Sequence, residues 1–192
     1  LEDYETYRKK TKNFMFQAFY MFGKKINDII PTIKSQDKAN RERLPKDLKI
    51  PNLPSNKNQK DNKFIKEAQD YVKSKFSNNY GTVEDFQYPI SHSQAKKWLQ
   101  NFITRKFKKF GPYQDFIVEG EDYLYHSIMS SSINIGLINP LDIFKTIKPL
   151  KDKIPLNSYE GYIRQLYWRE YQRYCYLYAD FKQNYFGHQK KT

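Results

Sequence analysis

Two short segments of the sequence combine side chains that can hold a charged or aromatic ligand. The first, residues 125–132, reads Tyr-His-Ser-Ile-Met-Ser-Ser-Ser and contains four serines and a histidine. We expect it at or near the start of a short helix, where free backbone amides and serine hydroxyls suit a phosphate group. The alternative is ordinary helix capping, in which one serine caps the helix and the others face solvent.

The second segment runs from Arg164 to Tyr171 inside the last predicted helix. Gln165 and Trp168 fall on one face at helical spacing. A glutamine can hydrogen-bond a base edge, and a tryptophan offers a stacking surface. Arg169 and Glu170 are adjacent and poorly placed to pair with each other, so we expect each to reach a different element. The alternative is a buried amphipathic helix with a satisfied arginine.

Other common chemistries find no support in the sequence. A single cysteine, Cys175, excludes an internal disulfide framework and a cysteine-based metal site within the chain. The sequence contains no HExxH motif, glycine-rich phosphate loop or nucleophile–base pair, so we assign no metal ligand and no catalytic residue. The histidines show no ligand-type spacing: His92, His126 and His188.

The charge balance favours polyanionic partners. The chain has 34 Lys and Arg against 21 Asp and Glu, a net charge of +13. Such a surplus is typical of proteins that bind nucleic acid or acidic membrane surfaces, although lysine is also a common solubilising residue. No apolar run approaches a membrane span and no secretory signal is present, so we expect no membrane partner and an intracellular location, in cytoplasm or nucleus. Four lysines cluster on the third predicted helix, where they either bind phosphates or simply face solvent: Lys96, Lys97, Lys108 and Lys109.

Apolar residues recur at helical spacing nearly throughout, and no strand pattern is present, so the predicted fold class is all-α. Residues 46–61, with Pro51 and Pro54 among Asn, Lys and Gln, predict a linker or surface loop. Gly111-Pro112 is predicted to end the third helix. The predicted apolar faces are Phe14, Ala18, Phe19, Phe22 and Ile26; Ile65, Ala68, Val72 and Phe76; Ala95, Trp98, Leu99, Phe102, Ile103 and Phe110; and Leu141, Phe144 and Ile147. The predicted helix starts are Asn62, Ser91 with Gln94, Asn139 before Pro140, and Asn157 with Glu160, the last helix running to about Phe181.

Taken in order, several motifs resemble the photolyase–cryptochrome superfamily, and most closely its bacterial iron–sulfur photolyase-related branch. The resemblance spans most of the chain and is loose over residues 46–90. The motifs that carry it are Phe19-Tyr20, Asn40 to Pro45, Phe110 to Asp115, Tyr125 to Ser130, Ile133 to Leu137, Ile154 to Gly161, Arg164-Gln165 and Trp168 to Tyr171.

The resemblance implies a multi-helical FAD-binding domain, of which residues 1–192 form a part. It also implies that Gln165 and Trp168 face the cavity that holds a flipped-out pyrimidine lesion. Arg169 and Glu170 are implied to be a structural pair near the flavin. The residues implied to surround the flavin phosphates and ribityl chain are Tyr113, His126, Ser127, Met129 and Ser130.

The implied activity is light-driven repair of ultraviolet-damaged DNA, in which reduced FAD donates an electron to the lesion. The family's antenna domain, the remaining half of its helical domain and its iron–sulfur cysteines are expected to lie outside this chain. We therefore expect an incomplete FAD site, completed by a second chain or a longer parent, and no activity of the chain alone. The alternatives are a basic helical module that binds nucleic acid or protein without flavin, and a remnant of a cryptochrome-like photoreceptor.

Overall fold

The computed structural model describes residues 2–11, 14–27, 42–45, 47, 49–54 and 62–178. The predicted all-α fold class is confirmed, since the regular elements of these ranges are helices and an isolated bridge joins Val118 to Glu121. A π-helical segment, Phe102–Lys106, joins α4 to α5, and a 3-10 turn, Lys148–Leu150, follows α7. The helices are α1 (Glu2–Lys10), α2 (Phe16–Asn27), α3 (Lys63–Phe76), α4 (His92–Asn101), α5 (Phe107–Tyr113), α6 (Ser130–Asn134), α7 (Pro140–Ile147) and α8 (Leu156–Tyr178).

Helix α8 is the centre of the fold. It packs most extensively against α5 and also against α2. The main apolar core includes Trp98, Phe102 and Tyr162. A second, aromatic cluster of Tyr7, Phe19 and Tyr174 holds α1 and α2 against the C-terminal half of α8. The two clusters meet along α8, which therefore fixes the position of every other element near it.

The prediction that Gly111-Pro112 ends a helix is wrong, because α5 continues through both residues to Tyr113. Pro112 has no N–H, so the carbonyl of Lys108 loses its usual intrahelical donor. The Ser158 hydroxyl replaces that donor at 2.9 Å and accepts a hydrogen bond from the Gly111 amide, also at 2.9 Å. A side chain from α8 thus makes a proline tolerable inside α5.

Helix α2 buries part of the predicted face and part of the face beside it. Phe16, Phe19 and Tyr20 are buried, at the spacing that one side of a helix presents to α8. Of the predicted face, Phe14, Phe19 and Phe22 pack into the aromatic cluster, and the buried side also includes Gly23 and Lys24. The predicted core members that are exposed are Ala18, Ile26 and, on α7, Leu141.

Helix α3 begins as predicted, with the Asn62 side chain accepting from the Phe64 amide at 3.0 Å. Of its predicted apolar face, however, Ile65 is buried while Ala68 and Phe76 are exposed. The helix is instead tied to the loop that follows it through polar contacts. Gln69 Nε2 donates to the Val83 carbonyl at 2.7 Å, and Lys73 pairs with Glu84 at 2.7 Å.

Two of the predicted capping patterns are confirmed. Ser91 Oγ accepts from the Gln94 amide at 3.3 Å, and the Gln94 side chain accepts from the Ile90 amide at 2.8 Å. Asn139 Oδ1 accepts from the Leu141 amide at 2.8 Å, with proline at the first position of α7. These local signals were readable because donor and acceptor lie within four residues of each other.

The second predicted capping box, on α8, is wrong. The helix begins at Leu156, so Asn157 is its second residue and not its N-cap. Glu160 is buried, its carboxylate 3.7 Å from Lys24 Nζ and 3.4 Å from the Tyr20 hydroxyl. The helix is described as far as Tyr178, and the predicted end near Phe181 lies outside the described residues.

Part of the predicted loop at 46–61 can be compared with the structure. Residues 49–54 form neither helix nor strand, as a loop requires. They are nevertheless packed, since Leu53 contacts the main core and the Lys49 carbonyl accepts from the Tyr125 hydroxyl at 2.9 Å. Positions 46, 48 and 55–61, like Asn40 and Arg41 of the resemblance, lie outside the described residues.

Candidate functional site

The serine-rich segment approaches α6 with an irregular backbone. Leu124 and Ile128 both have positive φ, at 38° and 54°, which places them in a left-handed conformation that non-glycine residues rarely adopt. Tyr125 and Met129 point into the protein and are buried. The two left-handed residues therefore turn the chain so that some side chains of the segment are buried and anchor it, while others remain closer to the surface.

His126 is held in one orientation. Its Nε2 lies 2.9 Å from the Gln114 carbonyl oxygen, and a carbonyl can only accept, so Nε2 carries a proton. The ring also meets Phe110 edge-on at 6.3 Å. His126 thus ties the serine-rich segment to the end of α5 and leaves Nδ1 as the nitrogen that can meet a ligand.

Tyr113 and Met129 are framework residues in this arrangement. Tyr113 is buried and stacks on Tyr125, with ring centroids 5.4 Å apart. Met129 is 1% exposed and stands just before α6, where its carbonyl accepts from the Ile133 amide at 2.9 Å. Both residues hold the backbone of the serine-rich segment in place through buried contacts.

The serines differ in how they are exposed. Ser130, the first residue of α6, is exposed, and Ser127 is half-buried. The hydroxyls of Ser131 and Ser132 are buried and have no hydrogen-bond partner in the described part of the chain. No side chain caps α6. The capping alternative is therefore wrong for this helix, and Ser127 and Ser130 are the serines of the segment that retain accessible surface.

Arg169 and Glu170 pair with each other, contrary to expectation, although each also reaches another element. Arg169 Nη1 lies 2.7 Å from Glu170 Oε1, which adjacent helical residues can achieve because both long side chains lean along the helix surface. Arg169 Nε donates to Asn134 Oδ1 of α6 at 3.3 Å. Glu170 accepts from the Tyr4 hydroxyl of α1 at 2.5 Å and pairs with Arg173 at 3.3 Å.

Gln165 and Trp168 are both exposed on α8. The Gln165 amide lies 3.5 Å from Gln114 Oε1. Trp168 stacks face to face on Phe16 of α2, with centroids 3.7 Å apart and ring planes at 9°. Phe16 therefore covers one face of the indole, and 38% of the tryptophan surface remains accessible.

Three contacts bring the two sequence segments together. Gln114 reaches Gln165, and Asn134 reaches Arg169. Ser127 also lies close enough to α8 to act on Tyr162, whose pKa burial raises to about 12 and the serine hydroxyl lowers in part. The serine-rich segment thus runs beside the face of α8 that carries Gln165 and Arg169.

Two of the predicted site residues also border a second feature, a cleft of about 560 Å³ between α1, α2, α7 and α8. Arg169 and Glu170 line it, together with Tyr4 and Tyr167. The remaining predicted site residues are not among its lining residues. The cleft and the serine-rich segment are therefore separate features that meet at Arg169.

Sequence reasoning missed Gln114 and Ser158, which position the site. Gln114 contacts both His126 and Gln165, and Ser158 holds α5 together. The Phe110 to Asp115 motif contained a signal for Gln114, because an amide beside buried aromatics needs partners. Nothing near Ser158 in the sequence points to a proline 46 positions earlier.

Over the described ranges, no group of three or more His, Cys, Asp or Glu side chains could hold a metal ion. Among the helices that the structure describes, none is long and apolar enough to cross a bilayer.

Known proteins resemble this chain over different parts of its length. Residues 2–88 match the family model of the deoxyribodipyrimidine photo-lyase-related proteins, including much of the stretch where the motif resemblance is loose. A (6-4) photolyase of Agrobacterium fabrum is 37% identical over 120 residues, which is 61% of this chain and 24% of that protein. An uncharacterised protein of Acanthamoeba polyphaga mimivirus is 40% identical over 84 residues, which is 41% of this chain and 65% of that protein.

The family model and the photolyase match point to the same family as the motifs. The family model covers residues 2–88, which is less than half of the chain, and the photolyase match covers 61% of it. The chain spans about a quarter of the Agrobacterium protein and about two thirds of the viral one. The chain is therefore similar to photolyase-related proteins, and it spans only part of the length of these relatives.

Proposed function

We propose that this chain provides the phosphate-facing part of a flavin site in a photolyase-type protein that repairs ultraviolet-damaged DNA with light. The observation that carries the proposal is the packing of the serine-rich segment beside α8. Gln114 links His126 to Gln165, and Asn134 links α6 to Arg169, so the elements that carry the serine hydroxyls and the guanidinium lie side by side. Such a surface is suited to a diphosphate.

Each residue has a distinct role in this proposal. The Ser127 and Ser130 hydroxyls donate hydrogen bonds to phosphate oxygens, and His126, on a ring fixed by Gln114, donates through Nδ1 when both ring nitrogens carry a proton. Arg169 contributes positive charge, which Glu170 partly offsets and holds in place. Bound FAD would supply the light-absorbing, electron-donating group. Tyr113 and Met129 keep the backbone of the segment fixed.

The exposed middle part of α8, at Gln165 and Trp168, suits the nucleotide substrate. Gln165 can hydrogen-bond the edge of a flipped-out base, and the accessible part of Trp168 can pack against it. Phe16 stacks on the other face of Trp168 and fixes the plane of the indole. A rigid aromatic surface loses little entropy when a base stacks on it.

The proposed site also needs a further segment. Ser130 and Gln165 remain exposed, whereas photochemistry on a flavin benefits from a closed, water-excluding pocket. Because the curated photolyase relative is much longer than the match, we propose that a second chain or a longer parent closes the pocket. We do not expect the chain alone to repair DNA.

The test is flavin binding. FAD and riboflavin are titrated into the purified chain, with and without a separately expressed remainder of a related photolyase, and binding is followed by flavin fluorescence. We expect FAD to bind more tightly than riboflavin, because riboflavin lacks the phosphates. The double variant S127A/S130A is expected to weaken FAD binding by at least about tenfold, since hydrogen bonds to charged groups contribute roughly 1.5–3 kcal/mol each.

The matched control is S74A/S93A, which removes two exposed serines from α3 and α4. Equal effects of the two double variants, or equal binding of FAD and riboflavin, would refute the phosphate site. No flavin binding in any mixture would favour a flavin-free basic module. Flavin binding without light-dependent repair by the completed complex would favour a cryptochrome-like photoreceptor.

A further inference from the structure

The continuous helical stretch 92–113, formed by α4, the π-helical segment and α5, is strongly basic. It contains no aspartate or glutamate. This one-signed composition differs from the rest of the chain, which contains all 21 acidic residues. Its six basic residues are Lys96, Lys97, Arg105, Lys106, Lys108 and Lys109.

The structure places five of these six side chains in solvent and one, Lys106, in the interior. The exposed positions follow two rows at four-residue spacing. One row contains Lys96, Gln100, Thr104 and Lys108, and the other contains Lys97, Arg105 and Lys109. Rows at this spacing form a ridge along one side of a helix. We call the five exposed cations, Lys96, Lys97, Arg105, Lys108 and Lys109, the basic face.

The π-helical segment keeps this ridge straight. Each residue of an ordinary α-helix turns by about 100°, so positions four apart drift around the axis. The wider turn at Phe102–Lys106 adds one residue and offsets that drift. Buried side chains therefore point to the core both before and after it, at Trp98 and at Phe110, and the exposed cations stay on one side.

The charge of the basic face is not neutralised by neighbouring acids. None of the ion pairs between described residues includes any of its five members. Lys109 Nζ instead lies over the Tyr125 ring, 5.4 Å from its centroid. Some cations elsewhere are paired, as Lys73 is with Glu84 and Arg169 with Glu170. The basic face is thus a local surplus of positive charge on a rigid support.

We propose that the basic face binds the sugar–phosphate backbone of duplex DNA, through residues other than the lesion-facing ones of α8. Lys97 and Lys109 are twelve residues apart, a rise of about 18 Å along a helix. One DNA strand presents a phosphate about every 3.4 Å, so the ridge spans roughly five phosphates. Gln100 and Thr104 lie between the cations and are exposed polar side chains of the type that contacts phosphate.

An acidic membrane is a less suitable partner for this surface. Helices that bind bilayers expose large apolar side chains that enter the lipid. Here the large apolar side chains of the stretch, such as Trp98, Phe102 and Phe107, are buried in the core. The exposed side is polar, which suits a phosphate backbone in water.

The contact is independent of base sequence and of the lesion, because lysines and arginines on phosphates do not read bases. The proposed backbone contact deepens the proposed function. It depends on that function in one respect, the choice of DNA as the anionic partner. A photolyase-type protein must find rare lesions among undamaged duplex. Backbone contacts that hold it loosely on DNA would serve that search.

The experiment measures binding of a fluorescently labelled, undamaged duplex by anisotropy, in the dark and without flavin, over a series of KCl concentrations. The test variant is K96Q/K97Q/K108Q/K109Q. The matched control, K63Q/K66Q/K73Q/K75Q, changes four exposed lysines of α3 and has the same net charge. Anionic phosphatidylserine vesicles serve as a second probe.

If the proposal holds, the slope of log Kobs against log[KCl] becomes shallower by about 3–4 in the test variant. Affinity at low salt should fall at least tenfold, and the control should keep most of the wild-type slope. Circular dichroism checks that both variants stay helical. Because no flavin is present, the result does not depend on whether the flavin site exists.

Equal losses in the test and control variants would overturn the proposal, since they would reflect net charge alone. So would unchanged duplex binding in the test variant. Loss of vesicle binding with duplex binding retained would assign the basic face to a membrane surface and would also overturn it.

Discussion

Ser158 shows how one side chain can connect two helices. Its hydroxyl donates to the Lys108 carbonyl and accepts from the Gly111 amide, both at 2.9 Å. It is fully buried, so neither group could find water if the hydroxyl were removed. The site depends on this link, because α5 carries Tyr113 and Gln114 at its end, while α8 carries Gln165 and Arg169.

The tyrosines make the protein sensitive to alkali. Burial raises the pKa of Tyr162 to about 12 and raises that of Tyr159. Burial together with the nearby carboxylates raises the pKa of Tyr4, beside Glu170, and of Tyr20, beside Glu160. A pKa that is higher in the folded state favours the protonated phenol on folding. The resulting stability is present below the unfolded pKa of about 10 and is lost as the pH rises through the folded pKa.

We therefore expect the free energy of unfolding to fall steadily above about pH 10. In Y162F the free energy of unfolding should fall less steeply with pH, by up to about 1.4 kcal/mol per pH unit. The reason is that this variant lacks one phenol whose pKa is higher in the folded than in the unfolded state. At pH 8 this variant should be at least as stable as the wild type, because the Tyr162 hydroxyl makes no ordinary hydrogen bond in the described structure. Urea unfolding between pH 8 and 11.5 measures both effects. Identical pH profiles for Y162F and the wild type would contradict the expectation.

Among the helices, the crossing of α5 and α8 is the tightest contact near the site. A Cβ on Gly111 would lie 2.6 Å from the Ser158 amide nitrogen and 2.7 Å from the Asn157 carbonyl carbon. Both atoms belong to the backbone and cannot rotate away. A Cβ on Gly161 would instead meet the flexible Gln114 side chain at 3.2 Å. The two glycines therefore allow a comparison: Gly111 faces backbone atoms that cannot move aside, and Gly161 faces a side chain that can.

We expect G111A to destabilise the protein by about 3 kcal/mol or more, because the two helices must move apart. G161A should change stability little, since the better helix propensity of alanine, about 1 kcal/mol, offsets the crowding. Urea or thermal unfolding measures both. Equal stabilities of the two variants would show that the helices do not cross as closely as the structure has them.

Features fixed by residues close in sequence could be predicted, and features fixed by distant residues could not. The all-α class and the caps at Asn62, Ser91 and Asn139 depend on spacing of a few residues. The passage of α5 through Pro112 depends on Ser158, and the role of Glu160 depends on Lys24 and Tyr20, all far away in the chain. The same holds for the site, whose serines were predicted and whose linking residue Gln114 was not.

At the scale of the whole molecule, charge is distributed unevenly. Helix α3 and its loop balance lysines with acids, as in the pair of Lys73 and Glu84. The stretch 92–113 has no acids, and the chain has a net charge of +13. Like charges repel one another in the compact state, so this surplus opposes folding even though it suits an anionic partner. The molecule thus gives up some stability at the basic face.

The repulsion among these charges should make the stability of the protein depend on salt concentration. The free energy of unfolding should rise by about 1 kcal/mol between 20 and 200 mM KCl, because the Debye length shrinks from roughly 20 Å to below 10 Å and screens the repulsion. The variant K96Q/K97Q/K108Q/K109Q should be more stable than the wild type at low salt, and its stability should change less with KCl.

The α3 variant K63Q/K66Q/K73Q/K75Q should show no such gain in stability, since it removes partners from acids such as Glu84. Urea unfolding at the two salt concentrations distinguishes them, and a matching gain in both variants would mean that net charge, not its placement, sets the response. Duplex DNA added at low salt should replace the missing counter-charge and stabilise the wild type while leaving the basic-face variant nearly unchanged.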